Sequence, residues 1–117
     1  KVLISSYHQV DCAVNGLDAL EKIKTNDYDL YIIDHLMPLM NGIQLSKNLK
    51  SRSQDLQNQN IPIIFMTTQS KEIVYSLPES KLFNDVINKP LNEQALLDCI
   101  SKIDNNSLSS SAIVVNE

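Results

Sequence analysis

The chain has few cysteines, no long apolar run and no excess of positive charge, and each shortage removes a class of protein. Cys12 and Cys99 are the two cysteines. They fall outside any CxxC or CxxH spacing, so neither a disulfide framework nor a zinc site is indicated, and both are expected to be small buried hydrophobes. No apolar stretch approaches the roughly 20 residues that cross a bilayer, and no charged-then-apolar leader stands at the N-terminus. The expectation is a soluble, cytoplasmic domain without membrane contact of its own. Lys and Arg number 10 against 14 Asp and Glu, a formal net charge of -4. No broad basic face follows from that balance, so direct contact with nucleic acid is not expected.

What is present suits one domain. A chain of 117 residues that is 43% hydrophobic can bury a single core but not two. Short apolar runs rich in β-branched residues alternate with segments of helical period, the pattern of a parallel sheet covered by helices. The runs at Val10–Val14, Leu30–Ile33, Ile61–Met66 and Val86–Asn88 are read as strands, three of them with continuous apolar stretches, as strands covered on both faces should have. Leu17–Lys24, following an Asn15-Gly16 turn, Ile43–Leu49 and Glu93–Ile103 are read as helices, the last with Asn92 as its N-cap. Lys71–Leu82 carries Pro78, which predicts a helix that is short or broken near residue 77.

Two polar stretches interrupt this rhythm. Ser51–Asn60 reads as a surface loop, and residues 105–111 have the composition of a linker. Beyond the linker, Ala112–Glu117 is a fresh apolar strand ending in polar and acidic residues. At the other end, Lys1–Tyr7 reads as the second half of a helix. The pattern thus starts one strand late and ends one strand late.

Three polar groups of different kinds fall at strand ends: Asp34 after Leu30–Ile33, Thr67 after Ile61–Met66, and Lys89 after Val86–Asn88, just before Pro90. Alone, such an Asp caps a turn, such a Thr bonds within a loop and such a Lys is a solvated charge. Together they converge on the edge where open α/β sheets bind ligands. A carboxylate can accept a phosphoryl group if the added charge is stabilised, and an ammonium and a hydroxyl suit that need.

Around these residues the chain resembles the receiver domains of response regulators and hybrid histidine kinases, over nearly all of residues 1–103. The matching stretches are Asn15-Gly16-Leu17-Asp18-Ala19-Leu20, Asp27 to Asp34 and on through Met37-Pro38 to Gly42, Ile61-Pro62-Ile63-Ile64 through Thr67, and Lys89-Pro90. The resemblance implies a flavodoxin-like, doubly wound parallel sheet of five strands with helices on both faces. It implies that Asp34 is the phosphoacceptor, Thr67 the switch hydroxyl and Lys89 the ion-pairing partner, with a cis peptide before Pro90. It also implies a Mg²⁺ ion held by Asp34, the backbone carbonyl of Leu36 and acids at the end of the first strand. The implied partners are a histidine kinase or histidine phosphotransfer protein and an output domain or partner protein. Any catalysis would be limited to the domain's own aspartyl phosphorylation and dephosphorylation.

The metal-binding acids mark a departure, since no first strand precedes Lys1. Either residues 112–117 supply that strand in a permuted order, or they begin a following receiver. The permuted reading is preferred, because a sheet without its inner strand would expose a long apolar edge. In that arrangement residues 1–104 form the receiver from its first helix onward, 105–111 the linker, and 112–117 the inner strand. Glu117 is then the candidate metal ligand, with neutral Asn116 beside it.

Smaller departures are Asn41 in place of a common Asp before Gly42, and Val86 where many receivers carry an aromatic switch residue. His35 could tune the lifetime of a phosphoryl group or point outward as a spectator, and His8 reads as helix-end surface. A phosphatase of the haloacid dehalogenase kind is disfavoured, since it wants a second acid where Leu36 stands. A degenerate receiver acting through protein contacts without phosphate remains the alternative.

Overall fold

The computed structural model describes residues 9–26, 28–37, 40–51, 61–89, 94–96, 98–99 and 111–115. In chain order the elements are β1 (Gln9–Ala13), α1 (Gly16–Thr25), β2 (Leu30–Asp34), α2 (Gly42–Ser51), β3 (Ile63–Thr67), α3 (Lys71–Tyr75), a 3₁₀ turn (Pro78–Leu82), β4 (Asp85–Asn88) and β5 (Ser111–Val115). Residues 94–96 and 98–99 are helical. The strands form one parallel sheet in the order β1-β5-β2-β3-β4.

The last strand in the chain therefore lies inside the sheet, between the first two. Leu30, Tyr31, Ile32 and Ile33 of β2 pair with Ala112, Ile113, Val114 and Val115, while β1 pairs with the other edge of β5 from Gln9↔Ser111 to Ala13↔Val115. Its register is fixed from below by Asp29, whose backbone N–H donates to the Ser111 carbonyl at 2.7 Å and whose carboxylate accepts from the Ser111 N–H at 3.0 Å. Strand β5 begins at Ser111, one residue earlier than composition suggests, because Asp29 gives that backbone its partners.

A period of two sorts the side chains onto two faces. Tyr31, Ile33, Ile63, Phe65, Ile113 and Val115 join Ala19 of α1, Leu45 and Leu49 of α2 and Val74 of α3 in one buried cluster. Leu30, Ile32, Ile64, Met66, Ala112 and Val114 join Leu96 and Cys99 in the other. Each fully buried aliphatic side chain contributes about 1.5–3 kcal/mol of transfer free energy, and the continuous burial of β2 and β3 follows from coverage on both faces.

Local chemistry sets the helix ends. Asn15 caps α1, its Oδ1 accepting from the Asp18 N–H at 2.8 Å, so the helix starts at Gly16 rather than Leu17. Asp18 in turn pairs with Lys22 at 3.0 Å, and Lys22 reaches the Cys12 carbonyl at 2.8 Å. Ser70 caps α3, which ends at Tyr75 ahead of the Pro78 turn, as the position of the proline predicts. Cys12 corrects the expectation of burial: Cys99 is buried, but Cys12 is exposed on edge strand β1. The readings placed on Lys1–Tyr7, His8, residues 52–60, Pro90, Asn92, Asn116 and Glu117 lie outside the described residues.

Candidate functional site

Strands β2, β3 and β4 are consecutive and parallel, so their carboxyl ends open on the same edge. Asp34 closes β2, Thr67 closes β3 and Lys89 follows β4. Asp34 is 4% exposed, and the Lys89 ammonium stands 2.5 Å from its Oδ1. That pair is an ion contact without hydrogen-bond alignment. Oδ1 is buried and has no hydrogen-bond donor among the described residues. A buried carboxylate oxygen in that condition is costly, and functional sites are where such groups persist.

Thr67 is 1% exposed. Its hydroxyl accepts the Gln69 N–H at 3.1 Å and meets His35 Nδ1 at 2.9 Å. Its carbonyl accepts the Lys89 N–H at 2.9 Å and the Asn88 side-chain amide at 3.3 Å, which ties the end of β3 to the end of β4. The hydroxyl proton has no acceptor among the described residues other than His35. The tautomer that pairs the Thr67 hydroxyl proton therefore has Nδ1 accepting and Nε2 protonated.

His35 is not an outward spectator. Its N–H donates to the Met66 carbonyl at 2.9 Å and its carbonyl accepts from the Gly42 N–H at 2.8 Å. Its ring lies 5.0 Å from that of Phe65, which stacks on Phe83 at 4.1 Å. Burial holds the His35 pKa below its usual value; the Asp34 charge opposes that shift and the Lys89 charge reinforces it. The contact was missed in the sequence because it depends on register. Asp34 pairs with Met66, so the next residue along β2 comes level with Thr67 on the Phe65 face.

Gly42 lets α2 approach this edge. A Cβ there would overlap the Asp34 carbonyl oxygen and come within 3.0 Å of the Phe65 ring. Leu36 turns its side chain outward, 64% exposed, while Met37 packs on the core. No cluster of three or more His, Cys, Asp or Glu able to hold a metal occurs among the described residues. Val115 ends β5 level with Ile33, and Glu117 lies outside the described residues.

A doubly wound parallel sheet with a buried strand-end aspartate and a lysine reaching it from two strands away defines an α/β domain built around one carboxylate. The response regulator receiver domain model matches residues 1–101, and the chain belongs to that family. Hybrid signal transduction histidine kinase D of Dictyostelium discoideum is 32% identical over 95 residues, 81% of this chain but 6% of that protein. Protein PilH of Pseudomonas aeruginosa is 30% identical over 96 residues, 82% of this chain and 77% of its own length. The solved response regulator TrrA of Thermotoga maritima, in complex with Mg²⁺-BeF, aligns at a TM-score of 0.63 and 27% identity, covering 77% of this chain and 72% of that one. The chain thus spans a small part of the hybrid kinase and most of PilH. Among the described residues no helix is long and apolar enough to cross a membrane.

Proposed function

We propose that this receiver domain takes a phosphoryl group onto Asp34 from a phosphohistidine of a histidine kinase or histidine phosphotransfer protein, with Mg²⁺ bound. The modified domain then changes its contacts with an output domain or partner protein. The observation that carries this reading is the buried Asp34 carboxylate, with Lys89 at 2.5 Å and Oδ1 otherwise without a donor.

In the transfer, a carboxylate oxygen of Asp34 attacks phosphorus, an O–P bond forms, the N–P bond breaks, and its electron pair returns to the donor imidazole. The protein's part is positioning and charge stabilisation. Lys89 balances the negative charge brought to the site, and the Thr67 hydroxyl is a donor for a phosphoryl oxygen. An oxygen-only set of the Asp34 carboxylate, the Leu36 carbonyl and the acid at Glu117 suits a hard cation. Bound there, Mg²⁺ would neutralise phosphoryl oxygens and orient the group for in-line transfer.

The reading treats β5 as the domain's own inner strand and the residues between 104 and 111 as the connection that returns the chain to it. Incubation with Mg²⁺ and acetyl phosphate should add one phosphoryl mass to the parent and none to Asp34→Asn. If neither that donor nor beryllofluoride alters the mass or spectra of the parent, the domain is a degenerate receiver acting through protein contacts alone.

A further inference from the structure

We propose that His35 is a positioning residue for Thr67, a latch whose Nδ1 holds the Thr67 hydroxyl until a phosphoryl group on Asp34 competes for it. The inference rests on the phosphoacceptor reading of Asp34 and assigns a residue that sets the threshold of that switch.

Two facts make the contact a latch rather than an incidental bond. First, Thr67 is buried, its backbone carbonyl is held by Lys89 and Asn88, and a lone pair of its side-chain hydroxyl is taken by the Gln69 N–H. His35 Nδ1 is the acceptor for the hydroxyl proton among the described residues, and a single proton serves one acceptor at a time. Second, that acceptor is rigid. Both backbone groups of His35 are bonded, to Met66 and Gly42, and its ring packs on Phe65, itself stacked on Phe83. A hydroxyl held between a fixed imidazole and a developing dianion moves by rotating about its own χ1, while the ring stays.

Donation to a phosphoryl oxygen therefore requires the Thr67 hydroxyl to leave His35. The lost bond is charged against the phosphorylated state and sets back its formation by about 3- to 10-fold, the weight of one neutral hydrogen bond. Asp34 and Lys89 are the charged groups facing His35, and both remain in place in a variant altered only at the ring nitrogen.

The test is a beryllofluoride titration in Mg²⁺, followed by heteronuclear NMR, on the parent, His35→Phe, His35→Asn and each in a Thr67→Ala background. His35→Phe keeps a ring against Phe65 without the acceptor and should bind the phosphoryl mimic about 3- to 10-fold more tightly. His35→Asn, whose side-chain oxygen can stand near the place of Nδ1, should return to the parent affinity. With Thr67→Ala the His35→Phe gain should vanish, a coupling that packing alone would not produce. Equal affinity of parent and His35→Phe, the same gain in both Thr67 backgrounds, or a gain in His35→Asn equal to that in His35→Phe would each overturn the latch. Should His35→Phe fail to fold, His35→Leu carries the same comparison. No binding by the folded parent would instead overturn the phosphoacceptor reading itself.

Discussion

The ammonium of Lys89 reaches Oδ1 of Asp34 across the full width of β3, joining the ends of two strands that are not neighbours. The contact is asymmetric, since the carboxylate is buried while Lys89 keeps about a third of its side chain in solvent. Removing either partner should therefore have opposite consequences. Lys89→Ala leaves a buried, unpaired carboxylate and is expected to cost about 1–2 kcal/mol, tempered by the water that enters in place of the ammonium. Asp34→Asn removes the buried charge and leaves a lysine that solvent can already reach, so it should be neutral or stabilising by up to about 1 kcal/mol. Urea unfolding of the two variants decides the point; an Asp34→Asn protein less stable than Lys89→Ala would show that the carboxylate is satisfied in a way the geometry does not reveal.

The sheet was legible in the sequence because buried parallel strands carry their signal in every residue. Leu30–Ile33 and Ile63–Met66 are apolar at each position, and Ala112–Val115 declared itself by reappearing after a polar linker. The strand-end residues Asp34 and Thr67 were found for the same reason, since each is the first polar group after such a run, and Lys89 because it follows Asn88 at the end of a third, just before Pro90. What stayed hidden needed register or depth. His35 meets Thr67 because Asp34 pairs with Met66 and not with a neighbour, and no periodicity within one strand contains that information. Cys12 was misread because a hydrophobe on an edge strand has the same sequence pattern as one inside the sheet.

Gly42 is expected to tolerate no side chain. The N-terminus of α2 touches the Asp34 backbone, so Gly42→Ala would force a Cβ into the carbonyl oxygen and against Phe65. Neither partner can yield, one being backbone at the end of a buried strand and the other an aromatic ring stacked on Phe83. A loss of about 1–3 kcal/mol follows from overpacking. Beryllofluoride binding should weaken at the same time, because the displaced backbone carries the acceptor. Thermal unfolding and titration of the same sample would check both, and an Ala variant matching the parent in each would overturn the close approach.

Acid should weaken the start of α1 through Asp18. Its carboxyl is held below its ordinary value of 3.8, first by the bond from Lys22 and then by the Val14 N–H. A depressed carboxyl stabilises the fold above its unfolded value, and that contribution is lost as the pH falls through the lower folded value. The window thus lies below pH 3.8. The group is near the surface, so no more than about 0.5 kcal/mol is at stake. Asp18→Asn should lose that amount at neutral pH and converge with the parent in strong acid, as read from paired urea curves at several pH values.

The placement of β5 leads to the largest expected effect. Ile113 and Val115 lie in the cluster beneath α1 and α2, Ala112 and Val114 in the cluster with Leu96 and Cys99, so this one strand contributes to both cores. It also provides the hydrogen-bonding edges of both β1 and β2. Ile113→Ala should cost about 2–5 kcal/mol through lost burial and the cavity left behind. Asp29→Ala, which frees the Ser111 N–H at the strand's entry, should cost about 1 kcal/mol without altering the core. A chain ending after residue 104 would leave β2 with an unpaired apolar edge facing β1, and it should show no cooperative unfolding transition. A synthetic peptide of residues 109–117 added to that truncated chain should restore the transition if β5 acts as the inner strand. A truncated chain that unfolds cooperatively by itself would mean that the sheet closes without it.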